Sequence, residues 1–119
     1  MKKLITALLA YSAICFAVWA YQDIPNLAKN SNWGKLTQDG KKLKIEGDPV
    51  WAATGIIRDD GCIYLEWVNI HDGRLGHSVY GLNDKSELIG LWGWCDETEI
   101  NDRGAITGNT RDDRIYSIP

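Results

Sequence analysis

From Trp33 onward, apolar and polar side chains change sides almost residue by residue between closely spaced turn signals. Ile63, Leu65 and Trp67 alternate with Tyr64, Glu66 and Val68, and Leu88, Gly90, Trp92 and Trp94 alternate with Ile89, Leu91, Gly93 and Cys95. A period of two is the signature of a pleated strand with one buried face. Turn-forming clusters interrupt it on average about every 12 residues: Asp39-Gly40, Gly47-Asp48-Pro49, Asp59-Asp60-Gly61, His71-Asp72-Gly73, Asn83-Asp84-Lys85 and Asn101-Asp102-Arg103-Gly104. That spacing leaves no room for helices of ordinary length, and Asp-Gly supplies the positive φ that tight hairpins need.

The pattern predicts strands over Gly34–Thr37, Lys41–Glu46, Val50–Arg58, Cys62–Asn69, Arg74–Leu82, Glu87–Cys95, Ala105–Thr110 and Arg114–Ile118. Short connections force neighbours to pair antiparallel. Glycines inside strands, at 55, 76, 81, 90 and 93, are expected at sharp bends and opposite large rings. The fold class is therefore all-β, a small antiparallel meander barrel, with a β-sandwich as the alternative.

The N-terminal segment has a different character. Met1-Lys2-Lys3 precedes a run from Leu4 to Ala20 with no charged residue. This is a leader pattern, with Val18 and Ala20 small enough for a peptidase that would leave Tyr21 first. An uncleaved anchor is the competing reading, because the run is only slightly short of the roughly 20 residues that span a bilayer, and Trp19 and Tyr21 suit the headgroup level. Cys15 is a poor lipidation site, since bulky Ile14 precedes it. Residues 1–20 are thus a signal peptide or membrane anchor, 21–32 a polar linker and 33–119 the β domain. Under either reading the domain lies outside the cytoplasm, periplasmic, secreted or held at the inner membrane, and it touches the membrane only through residues 1–20.

Loss of the leader with Lys2 and Lys3 takes the formal charge from −3 to −5. A chain this acidic lacks the dense basic face that nucleic acid requires. Lys41, Lys42 and Lys44 form the one basic cluster, best read as solvated charge on a strand that resists edge-to-edge aggregation. Cys62 and Cys95 are the exported cysteines, and an oxidising compartment favours a bridge between them. The meander opposes it by putting them near opposite ends of strands two apart, so the pair stays an open possibility.

Six tryptophans, one of them in the leader, are the compositional anomaly. Trp33, Trp51, Trp67, Trp92 and Trp94 either fill the core or present rings to a partner. Trp51, Trp67, Trp92 and Trp94, with Tyr80, are the candidate binding residues. His71 and His77 flank one hairpin, but one sits at the turn and the other within a strand, so no metal site is assigned. Ser78 follows His77 and leaves the opposite face, which removes a triad. The acidic stretch 96–104 does not fit a calcium-loop spacing. Glu66, Glu87, Glu97 and Glu99 offer carboxylates for glycoside hydrolysis only if two of them face each other.

Phosphate loops, paired Cys-x-x-Cys motifs and dinucleotide fingerprints are missing, so no cofactor is assigned and no catalytic residue is named. The expectation is a noncatalytic envelope or secreted protein, of bacterial or phage type, that binds an envelope protein, for example as an inhibitor, or a cell-wall glycan. The alternatives are a carrier of a small apolar ligand, with Gly76 and Gly90 facing a cavity, and a hydrolase using acidic residues.

Overall fold

A computed structural model describes residues 30–118 apart from Ser86. The leader or anchor, Cys15 and most of the linker lie outside the described residues. Within them every regular element is a strand: β1 (Asn30–Ser31), β2 (Gly34–Asp39), β3 (Lys42–Glu46), β4 (Trp51–Ile57), β5 (Ile63–Asn69), β6 (Leu75–Leu82), β7 (Leu88–Trp94), β8 (Thr98–Ile100), β9 (Ile106–Gly108) and β10 (Arg111–Ile115).

Strands β1 to β7 form an antiparallel meander, and β10 returns to pair with β7. The eight-stranded sheet curls into a half-barrel. Its two ends meet through a bridge between Ser31 and Ser117, reinforced by Asn32 N–H to the Tyr116 carbonyl (3.1 Å) and Ile118 N–H to the Asn30 carbonyl (2.9 Å). The Asn32 side chain adds a donor to the Arg114 carbonyl and an acceptor for the Tyr116 N–H. Short-range turn chemistry sets the hairpins, with Gly40 and Gly73 at φ 64° and 77° where a side chain would be strained.

Parity then sorts the side chains. Leu36, Ile45, Leu65, Tyr80, Leu88 and Ile115 are fully buried on the concave face and form one cluster with Leu43, Ala53, Ile57, Ile63, Trp67 and Leu82. Lys42, Lys44 and Glu46 alternate with Leu43 and Ile45 and stay on the outer, exposed side.

Three features depart from the sequence expectation. Asn30 and Ser31, in the predicted linker, pair with β2. The acidic stretch contains β8, which pairs with β9 as a separate hairpin between β7 and β10. This hairpin covers the outer face of β5 to β7, where Ile106 packs with Cys62 and Val79, and Tyr64, Leu91 and Ile100 lean on them. Strand β6 is in consequence buried on both faces from Gly76 to Leu82.

The third departure is a correction to the Cys62–Cys95 bridge. Cys95 is an exposed free thiol. Ile63 stands opposite Tyr80 and Trp94 opposite Gly76, so the two cysteines adjoin opposite ends of β6. At about 3.3 Å per residue the offset is on the order of 20 Å, far beyond the about 7 Å that a disulfide tolerates between Cα atoms.

Candidate functional site

The curl brings all five tryptophans of the β domain together. Trp51 opens β4, Trp67 is inward on β5, and Trp92 and Trp94 are inward on β7. Trp33 occupies the turn between β1 and β2, where its backbone N–H donates to Ser31 Oγ (3.1 Å) and Ser31 Oγ donates to the Gly34 carbonyl (2.6 Å). The rings of Trp33 and Trp67 lie 5.4 Å apart at 59°. Trp94 contacts Trp51 (5.7 Å, 42°) and Trp92 (5.4 Å, 81°).

Between these two groups lies Gly76, directly opposite Trp67 on one side and Trp94 on the other. With no side chain at that point, the indoles surround a half-open pocket of about 70 Å³ lined by the five tryptophans, Gly76 and Asp113. Gly76 is the gap in the core that makes the pocket.

Asp113 is the polar side chain among these lining residues. It is inward on β10, opposite Gly90 of β7, and Gly90 is in turn opposite Tyr80 of β6. A bare glycine between them lets the long Tyr80 side chain reach across β7, and its hydroxyl donates to Asp113 Oδ2 at 2.5 Å. The Arg114 backbone N–H donates to the other carboxylate oxygen at 2.9 Å. Burial raises the Asp113 pKa above the ordinary carboxylate value, while Tyr80, the Arg114 N–H and the nearby Trp33 indole partly offset that rise. The Trp33 indole nitrogen itself is buried and completes no hydrogen bond of ordinary geometry. Burial and the adjacent carboxylate drive the Tyr80 phenol well above its usual pKa, which keeps it a donor.

Deeper in the wall, the Trp67 indole N–H donates to Ser78 Oγ at 2.6 Å and holds that ring in place. Two arginines stand against the outer rings. Arg74 Cζ lies 3.9 Å from the Trp94 ring centroid and its guanidinium is anchored to Asp96 (3.1 Å) and Glu97 (3.3 Å). Arg111 Cζ lies 5.6 Å from the Trp92 centroid.

Of the residues proposed from sequence, Trp51, Trp67, Trp92 and Trp94 line the pocket, whereas Tyr80 is fully buried and acts on it through Asp113. Trp33 and Asp113 were not assigned to a site in the sequence reading. The alternation of Arg111, Asp113 and Ile115 against Asp112 and Arg114 carried the signal, but the predicted strand began at Arg114 and so omitted it.

The other candidate groups do not gather. His71 sits in the exposed turn after β5, and His77 is buried on the outer face. Thr98 gives its proton to the Trp94 carbonyl (2.7 Å), so the His77 Nε2–H donates to the Thr98 hydroxyl, and burial lowers the His77 pKa against an opposing pull from Glu66. Glu66 accepts from Tyr64 (3.4 Å), whose phenol burial and Glu66 push up to about 12. Glu87 accepts from Asn83 (2.9 Å), and Glu97 accepts from Asn109 (3.0 Å) besides Arg74. Among the described residues no group of three His, Cys, Asp or Glu side chains is placed to hold a metal ion.

No family model, curated protein or solved structure matches the chain, so the functional reading rests on this geometry.

Proposed function

We propose that the chain is an exported, noncatalytic recognition protein whose tryptophan pocket receives a compact group displayed by a partner. The observation that carries this reading is the convergence of five indoles, from four separate places in the chain, on one half-open pocket at the end of the packed core. Protein interiors hold few gaps larger than a water molecule, and concave, largely aromatic and apolar sites are where ligands bind. The bridge between Ser31 and Ser117 supports treating the half-barrel as a small closed barrel that holds the rings rigidly.

The size of the site favours recognition over carriage. The concave interior is occupied by Leu36, Ile45, Leu65, Leu88 and Ile115, leaving about 70 Å³ against the roughly 300–1,000 Å³ of pockets that engulf a whole small molecule. Gly76 does face the gap as a carrier would require, whereas Gly90 is crossed by Tyr80. A sugar ring is a poor occupant, because each hydroxyl taken from water needs a partner and the lining offers Asp113 alone among its side chains as an acceptor. Of the two partner classes expected from sequence, an envelope protein is therefore favoured over a glycan.

The test uses the exported protein, immobilised and exposed to envelope extract of its native host, beside Gly76→Leu, which fills the pocket, and Trp92→Ala, which removes a wall. Capture of a partner by the native chain and its loss in both variants is the expected result. Capture that neither variant weakens would refute a role for the pocket.

A further inference from the structure

Resting on the pocket reading above, the geometry points to a methylated ammonium group as the occupant: a cationic, choline-like head enclosed by indole faces, with the Asp113 carboxylate in the pocket lining.

Ring orientation is the first argument. A platform for a flat ligand needs coplanar or single exposed rings, but here neighbouring indoles meet at 59°, 42° and 81°. Steeply inclined rings form a box, and a box encloses a compact, roughly spherical group. The negative faces of aromatic rings attract a cation, Trp most strongly, and enclosure by several indoles is the geometry in which quaternary ammonium is held.

Charge is the second. Asp113 lines the same pocket and keeps its place against the cost of burial through Tyr80 and the Arg114 N–H. A carboxylate beside five indoles gives the pocket a negative potential in a poorly solvated setting, where it is screened least.

Hydrogen-bonding capacity decides the kind of cation. A primary ammonium carries three donors that must be satisfied once it leaves water, while both Asp113 oxygens already accept a hydrogen bond. Methylation removes those donors and adds apolar surface that the indoles cover. The methylated head therefore loses less on entry than lysine would. The protein's own cations stand against the outer rings: Arg74 is neutralised by Asp96 and Glu97, and Arg111, which among the described residues forms no ion pair, lies 5.6 Å from the Trp92 centroid. Arg111 opposes an incoming positive charge.

Choline chloride titrated into the full exported protein, followed by tryptophan fluorescence and isothermal calorimetry, tests this directly. The neutral isostere 3,3-dimethylbutan-1-ol is the matched control, since carbon replaces nitrogen at constant shape. Choline is expected to bind about tenfold or more tightly than the alcohol, as a desolvated cation on indole faces implies. Asp113→Asn, which retains an acceptor for Tyr80, should erase most of that preference, and Arg111→Gln, at an exposed position where folding is not at stake, should strengthen choline binding. Equal affinity for the alcohol, or no change with either variant, would overturn the cation assignment. Absence of choline binding would overturn it too, while capture of a partner lost in Gly76→Leu would leave the pocket reading standing.

Discussion

Gly90 is the position where a single methyl group tests the architecture most sharply. A Cβ built there would lie 1.9 Å from the Val79 carbonyl oxygen and 2.8 Å from Tyr80 Cα, both backbone atoms of the paired strand, where ordinary contact begins at 3.4 Å. Backbone in the middle of an eight-stranded sheet cannot step aside as a flexible side chain can, so Gly90→Ala must part β6 from β7 or bend both. Overpacking of a tight core costs about 1–3 kcal/mol. The displaced Tyr80 would also lose its hydrogen bond to Asp113, a bond to a charged acceptor worth about 1.5–3 kcal/mol. The two losses share one displacement and do not simply add, so we expect about 3 kcal/mol or more. For a domain of this size that lowers Tm by roughly 12 to 24 °C. Thermal unfolding of the exported protein, followed by circular dichroism and by tryptophan emission, measures it. The control is Gly76→Ala, whose new methyl meets the Gly93 carbonyl oxygen at 3.2 Å and Trp94 at 3.7 Å and which should cost less than about 1 kcal/mol. A Gly90→Ala protein within about 1 kcal/mol of the native chain, or a Gly76→Ala protein damaged as badly, would refute the claim that close strand approach at Gly90 is what lets Tyr80 cross to Asp113.

Other consequences are open to simple measurements. Asp113 has a raised pKa in the folded protein, so choline affinity should fall as pH drops through a range above the ordinary carboxylate value of 3.8, and that step should vanish in Asp113→Asn. Because the folded state binds this proton more tightly than the unfolded chain, ionisation of Asp113 costs stability as pH rises through the same range; Asp113→Asn should then be no less stable than the native chain at neutral pH. His77 behaves oppositely: its folded pKa is depressed below 6.5 by burial, so its contribution is present above that value and is lost on acidification, and hydrogen exchange in the β8–β9 hairpin should accelerate as pH falls below 6.5. Cys95 should take up one maleimide per folded chain without reductant, slowly at neutral pH because burial, Glu66 and Asp96 raise the thiol pKa, and faster as pH increases; a Cys95 that resists labelling in the native protein but not after reduction would contradict the free thiol.

Much of the fold was legible in residue order because its determinants are local. Alternation along 63–69 and 88–94 assigns a face to each side chain whatever lies opposite, and Asp-Gly at 39–40 and His-Asp-Gly at 71–73 dictate reversals within four residues. Those two rules suffice for the strands β2 to β7 and for the inward direction of Trp67, Trp92 and Trp94. The short pairings were missed for the converse reason: Asn30–Ser31 and Thr98–Ile100 are too brief and too polar to show a period, and they become strands through partners supplied from elsewhere.

The pocket belongs to the other category. Trp33 and Asp113 are separated by most of the domain, and they meet because the curled sheet brings β10 and the segment after it against β1, through Ser31 with Ser117 and Asn32 with Tyr116. Likewise the distance between Cys62 and Cys95 depends on how far along β6 each lands, and the burial of His77 depends on a hairpin folding over the outer face. Alternation tells a side chain which way to point. How strongly the sheet coils, and therefore which inward side chains converge, is set by the sum of twists, glycine approaches and edge contacts over eight strands, a quantity no short stretch of sequence contains.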